Sequence, residues 1–237
     1  MAKGPKLTAA LTLVAVAGVG VTYGLLFTPE TPGELAIANT QGLFTTAEEG
    51  LGSKLGDPSG RWEVRAGSEA GYRVREKLAR LPASSDAVGR TDAVTGGLTV
   101  VGEDQDYTVN DIEIQVDLSK LESDSPRRDD ALRTRGLETD RFPLARFVGK
   151  GPIALPEPTG AGRTVKMTLE GMLTIHEVTK QVSIPIEARM EGGRAEVAGS
   201  FTFPMAEFGI QPPNVANIVT VEPTGTMEFR LLLTKAA

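Results

Sequence analysis

The chain contains no cysteine, which removes disulfide scaffolds, thiol catalysis and thiolate metal sites together. It has a single histidine, His176, so a multi-histidine metal centre is excluded, although a carboxylate-rich one is not. No run of basic residues occurs, and the net charge is -6. A surface for nucleic acid needs a basic face to neutralise phosphate, so that partner is excluded too. No serine stands in a Gly-x-Ser-x-Gly elbow and no nucleophile–base pair is visible, so the chain reads as a binding protein rather than an enzyme. Neither Glu103, Asp104 and Asp106 nor Asp129 and Asp130 have the spacing of a calcium loop, and both groups read as solvated charge.

A further absence is informative. Leu7 to Phe27 carries no charged residue, and the run is long enough for the roughly 20 residues that cross a bilayer core as a helix. Lys3 and Lys6 precede it, and Glu30 and Glu34 follow. Residues 1–6 therefore stay cytoplasmic and the rest crosses. A cleaved signal peptide is the alternative, but its apolar core spans only about 7–15 residues before a small-residue site. Ala15 and Ala17 lie inside the run, and Ala36-Ile37-Ala38 lies well beyond it. The sequence thus predicts an uncleaved signal anchor over 7–27, a single pass through the cell membrane, and an extracytoplasmic remainder. Residues 28–59 are broken by Pro29, Pro32, Gly33, Gly50, Gly52, Gly56 and Pro58. They read as a linker, with a helical turn or two between Gly33 and Gly52.

From residue 60 onward apolar and polar residues alternate. Ile112, Ile114, Val116 and Leu118 oppose Glu113, Gln115 and Asp117. Val165, Met167, Leu169, Leu173 and Ile175 share a face, as do Val182, Ile184, Ile186 and Ala188. Ala195, Val197, Phe201 and Phe203 follow, then Met227, Phe229 and Leu231 opposite Glu228 and Arg230. Period two with one apolar face is the signature of antiparallel strands around a common interior. Further strands are expected at Gly71–Glu76 and Ala93–Val101, with Gly96-Gly97 at a bend or bulge. Glu191-Gly192-Gly193-Arg194 signals a hairpin, Pro158–Gly162 a looser turn, and Gly171 a sharp coil in a long strand. The exception is Ser123-Asp124-Ser125-Pro126, which opens a short helix over Arg127–Arg135 that Gly136 can end.

Residues 60–237 are thus predicted to form one all-β domain, a curled or closed antiparallel sheet of about eight strands with one short helix. Alternation alone leaves two interiors open, a packed core or a pocket for an apolar ligand. The face expected to point inward carries no charge. His176 falls on the outer face beside a turn, which suits a turn role better than catalysis. Arg127, Arg128, Arg133, Arg135, Arg141 and Arg146 could grip a lipid phosphate, but the acids between them favour a mixed-charge surface helix.

Several segments, in order, resemble the YceI-like, polyisoprenoid-binding family. They are Arg128-Asp129-Asp130-Ala131-Leu132-Arg133, Phe142-Pro143-Leu144-Ala145-Arg146-Phe147, Gly171-Met172-Leu173-Thr174-Ile175-His176-Glu177-Val178-Thr179-Lys180, and Phe208-Gly209-Ile210. Trp62 stands where that family has a tryptophan early in its first strand. Gly71-Tyr72-Arg73-Val74-Arg75-Glu76 and Val88-Gly89-Arg90-Thr91 resemble its membrane-anchored branch. The resemblance implies an extended, lipocalin-like barrel that holds a polyisoprenoid or other long-chain lipid, for sequestration or transport, with no further cofactor. Candidate lining residues are then Val74, Leu98, Val100, Ile112, Ile114, Val116, Met167, Leu169, Ile184, Ile186, Phe201, Phe203, Met227 and Phe229. The expected partners are the apolar lipid, the membrane through the N-terminal helix, and a second copy in a homodimer. The alternative is a ligand-free interaction module displayed outside the membrane.

Overall fold

The computed structural model describes residues 31–37, 57–78, 84–103, 106–155, 163–191, 193–212 and 219–236. The expected membrane run Leu7–Phe27, most of the 28–59 linker and the turn at Pro158–Gly162 lie outside the described residues. No helix among the described residues is long and apolar enough to cross a membrane.

The alternating stretches form antiparallel strands. The first strand line comes in two parts, β1 (Gly60–Val64) and β2 (Glu69–Leu78). Both pair with the long final strand β12 (Val219–Lys235). Ser68, which is buried, stitches the break between them: its hydroxyl donates to Arg65 O at 2.8 Å and accepts from Leu232 N at 2.9 Å. The chain returns through β3 (Ser84–Thr91) and β4 (Val94–Glu103), then β5 (Asp106–Asp117), a two-residue β6 (Glu122–Ser123), β7 (Leu144–Gly149) and a two-residue β8 (Ile153–Ala154). The hairpins of β9 (Thr164–Ile175), β10 (Val178–Glu191) and β11 (Arg194–Pro204) lead to β12.

Neighbours run β1–β4–β5–β7–β9–β10–β11–β12, and β12 pairs back onto β1. That closes an eight-stranded antiparallel barrel, which leaves no open edge within its circuit. At one end β12 also carries β2, β3 and β6 in succession, and β8 pairs with β5.

Local signals in the sequence do what their chemistry requires. Gly96 has φ of 125°, and the β4–β5 register shifts between Gly97 and Thr99, so the glycine pair marks a bulge. A Cβ on Gly171 would lie 2.5 Å from Phe147 Cζ and from Val148 O; its absence lets β7 cross β9 closely. Glu191 pairs with Arg194 across the hairpin, where Gly193 has φ of 73°. The helix α1 spans Pro126–Thr134, with Ser125 as N-cap and proline in its first turn. Asp129 accepts from Ser123 N at 3.1 Å and from its hydroxyl at 2.6 Å, while Asp130 pairs with Arg133. Arg128 pairs locally with Asp124 through Nη1 and also reaches Glu76 of β2 at 2.8 Å through Nη2.

Residues 33–37, within the described part of the expected linker's first half, carry neither helix nor strand; Leu35 is buried and its N–H donates to Glu228 at 3.3 Å. One reading is corrected. The polar face of the C-terminal strands is not wholly solvated. Glu228 is 1% exposed and Glu196 2%. Arg73 and Arg90 each lie 3.3 Å from Glu228, and Arg90 also donates to Gly33 O. Arg189 at 2.8 Å and Arg230 at 3.4 Å hold Glu196. Burying these carboxylates is sustainable only because each has cationic partners.

Candidate functional site

Side chains on the inward parity form two clusters at different heights. At one end the β9–β10 turn, the 3-10 turn Met205–Phe208 and the loop from Leu137 to Phe142 come together. Phe203 packs edge-on against Phe208 at 5.0 Å, and Phe201 stacks on Phe203 at 5.5 Å. Leu173, Ile175, Val182, Met205 and Ile210 complete a filled plug. His176 clamps this end: Nε2 lies 2.9 Å from Glu138 Oε2, and the ring meets Phe142 edge-on at 4.2 Å. His176, Glu177 and Glu138 all have positive φ, between 49° and 59°. The histidine thus serves a turn, but one packed into the structure rather than solvated.

Near the other end Trp62, Ala70, Val94, Val100, Leu231 and Leu233 form the second cluster. Residues 57–59 lie over it. Trp62 Nε1 donates to Pro58 O at 2.8 Å, and Lys235 Nζ donates to Asp57 O at 2.9 Å. Hydrogen bonds from the Ser59 hydroxyl and N–H hold the Asp57 carboxyl below the usual carboxylate range.

Between the clusters lies a cavity of about 220 Å³. Eleven of the fourteen residues expected to line an interior face it: Leu98, Val100, Ile112, Ile114, Val116, Met167, Leu169, Ile184, Ile186, Met227 and Phe229. Val74, Phe201 and Phe203 do not; they pack with the plug, because the turn at Met205–Phe208 folds back and fills the barrel at their height. The wall also includes residues beyond those expected, among them Trp62, Tyr107, Phe147, Leu173, Met190, Val197, Leu231 and Leu233. Leu173, Val197 and Leu231 carried the alternation signal. Phe147 reaches inward across the gap at Gly171, which no period reveals.

Among the described residues the wall is chiefly apolar and holds no carboxylate. Such a surface holds apolar groups by excluding water. A second polar cluster sits under α1, where Tyr72 packs against Gly89; burial pushes its phenol well up, against the opposing pull of Arg128. Among the described residues no three His, Asp or Glu side chains group to hold a metal.

The YceI-like domain model matches residues 62–232. No curated protein matches. Among solved structures, a polyisoprenoid binding domain from Saccharophagus degradans, implicated in plant cell wall breakdown, aligns with TM-score 0.57 at 14% identity, covering 74% of this chain and 98% of its own. BcnA of Burkholderia cenocepacia aligns with TM-score 0.49 at 15% identity, over 69% of this chain and 95% of that one. A mutant YCEI protein of Campylobacter jejuni gives 0.42 at 10% identity, over 88% and 100%. At such identities the first of these supports the fold alone.

Proposed function

We propose that this chain, which belongs to the YceI-like domain family, binds a long apolar lipid, a polyisoprenoid or a fatty chain, inside its barrel. The observation that carries the reading is the largely apolar cavity between the two clusters. The family is one of binding domains, and lining of this kind suits binding rather than turnover.

Volume qualifies what fits. The cavity of about 220 Å³ exceeds the roughly 150 Å³ of an apolar cavity that stays dry and admits benzene. It falls short of the roughly 300–1,000 Å³ typical of drug-sized ligands. A short apolar segment enters as the wall stands. A long chain enters by displacing Met167, Met190 and Met227, whose unbranched thioethers repack at little cost. Each methylene moved from water contributes about 0.8 kcal/mol.

The barrel works outside the cytoplasm, held by the run Leu7–Phe27, where it sequesters or carries lipid close to the bilayer. Protease added to spheroplasts should cut the barrel domain; full protection in intact spheroplasts overturns this location. The binding itself is tested by native mass spectrometry of the full chain, taken from its natural host in polymer discs without detergent. A stoichiometric added mass that extracts into organic solvent supports the carrier, and the same spectrum reads one copy or two. A bare mass, unchanged after incubation with isoprenoids and fatty acids, overturns it and leaves a ligand-free interaction module.

A further inference from the structure

The cavity is soft at its sides and hard at one end. Met167, Met190 and Met227 belong to its wall, and their thioethers change rotamer at little cost. The plug end is built differently. On three neighbouring strands the lining stops, and the next inward side chain packs into the plug. The step falls between Leu173 and Ile175 on β9, between Ile184 and Val182 on β10, and between Val197 and Phe201 on β11. This shared boundary makes a floor across the barrel.

What lies behind the floor is fixed. The Met205–Phe208 turn is closed by hydrogen bonds from Gly209 N to Ala206 O at 3.0 Å and from Ile210 N to Met205 O at 3.1 Å. Phe208 is 1% exposed and lies edge-on to Phe203, which stacks in turn on Phe201. His176 ties the β9–β10 turn to Glu138. Met205, the thioether within the plug, packs beside Gly225, and neither residue borders the cavity. A close-packed and clasped set of this kind yields far less than three thioethers bordering a void.

We propose that the plug is a length gauge. A single tail lies along the barrel axis with its terminus against Leu173 and the aromatic turn behind it, so the protein is selective for tail length and permissive in tail girth. This rests on the lipid-binding reading above and adds the property of the ligand that is selected. The reason is energetic. Each methylene that leaves water strengthens binding about fourfold, so affinity climbs with tail length until the terminus meets the floor. Carbons added beyond that point stay in water and contribute nothing.

The test uses straight-chain alkanols from hexan-1-ol to hexadecan-1-ol, whose neutral head group keeps charge out of the comparison. Each competes with N-phenyl-1-naphthylamine for the full chain in phosphatidylcholine nanodiscs, and uptake by empty discs is subtracted. In the native protein affinity should climb about fourfold per carbon and then level off at one length. Leu173 and Ala145 belong to both the wall and the plug. Leu173→Ala should move the limit up by about two or three carbons, since it removes three at the floor. Ala145→Val, which adds bulk there, should lower it by about one or two, and it decides the matter if Leu173→Ala does not fold. Leu231→Ala, a wall substitution in the other cluster, should leave the limit where it stands. A native affinity that climbs through the whole series overturns the gauge and leaves lipid binding intact. So does a limit that ignores both floor variants, or one that Leu231→Ala moves equally, which would assign it to total volume. Failure of every alkanol and of the fluorophore to bind overturns the lipid-binding reading itself.

Discussion

Ile184 offers a sharp test of the cavity, because the same position can be enlarged or emptied. It is 2% exposed, lies in the wall on β10 and pairs with Leu169 on β9. In Ile184→Trp the new ring projects into a space of about 220 Å³, larger than the roughly 150 Å³ that accommodates a benzene ring. The substitution should therefore cost near the low end of the about 1–3 kcal/mol expected for overpacking. It should nevertheless exclude the ligand. Keeping four methylenes in water forfeits about 3 kcal/mol, a hundredfold or more in affinity. Ile184→Ala does the reverse. It should cost about 2–5 kcal/mol of stability for lost contacts and added void, yet keep or improve uptake of a chain. The two variants thus move stability in the same direction and binding in opposite directions. Urea unfolding gives the first quantity and displacement of N-phenyl-1-naphthylamine the second. A folded Ile184→Trp protein that binds like the native chain would refute the cavity as the site. Equal loss of binding in both variants would show that binding merely tracks stability.

Other consequences are open to measurement. Trp62, the only tryptophan, is buried in the cavity wall, so a fatty chain brominated along its tail should quench its fluorescence; undiminished emission at saturation would place the chain elsewhere. Glu228→Ala leaves Arg73 and Arg90 without the carboxylate between them, and breaking a buried pair this way should cost about 3–5 kcal/mol in a urea titration. A loss under about 1 kcal/mol would mean the arginines reach water once released. Faster amide exchange at Leu35 should accompany the change, since its N–H donates to the same carboxylate. Asp57 supplies a pH test. Its folded pKa is lowered by the Ser59 hydrogen bonds, so its support for the cap is complete above the unfolded value of about 4 and fades as pH falls through the lower folded value. Trp62 emission should accordingly shift red below about pH 4 in the native chain, and an identical shift in Asp57→Asn would assign it to other carboxylates.

Much of the barrel is legible in one dimension. Alternation from Ile112 to Val116, from Val165 to Ile175 and from Val182 to Ala188 assigns each side chain to a face, because strand geometry allows two faces and no others. The helix boundaries, the bulge at Gly96-Gly97 and the hairpin before Arg194 follow from equally local chemistry. The absence of cysteine and of any nucleophile–base pair limited the chemistry before any fold was considered.

Height along the barrel axis is another matter. Phe203 and Phe229 are both large aromatics on the inward face, yet one packs into the plug and the other borders the cavity. The difference arises because Met205–Phe208 turns back into one end, a long-range event with no period to announce it. The outer face escaped for the same reason. Glu196 and Glu228 occupy polar positions that alternation reads as solvated, and only the arginines gathered from β2, β3, β10 and β12, with residues 33–37 laid over Glu228, bury them. The sequence by itself determined which residues share a face, since that depends on backbone geometry between neighbours. The tertiary structure alone decided where the interior is full, where it is hollow and where charge is buried, since those depend on residues distant in the chain reaching the same height.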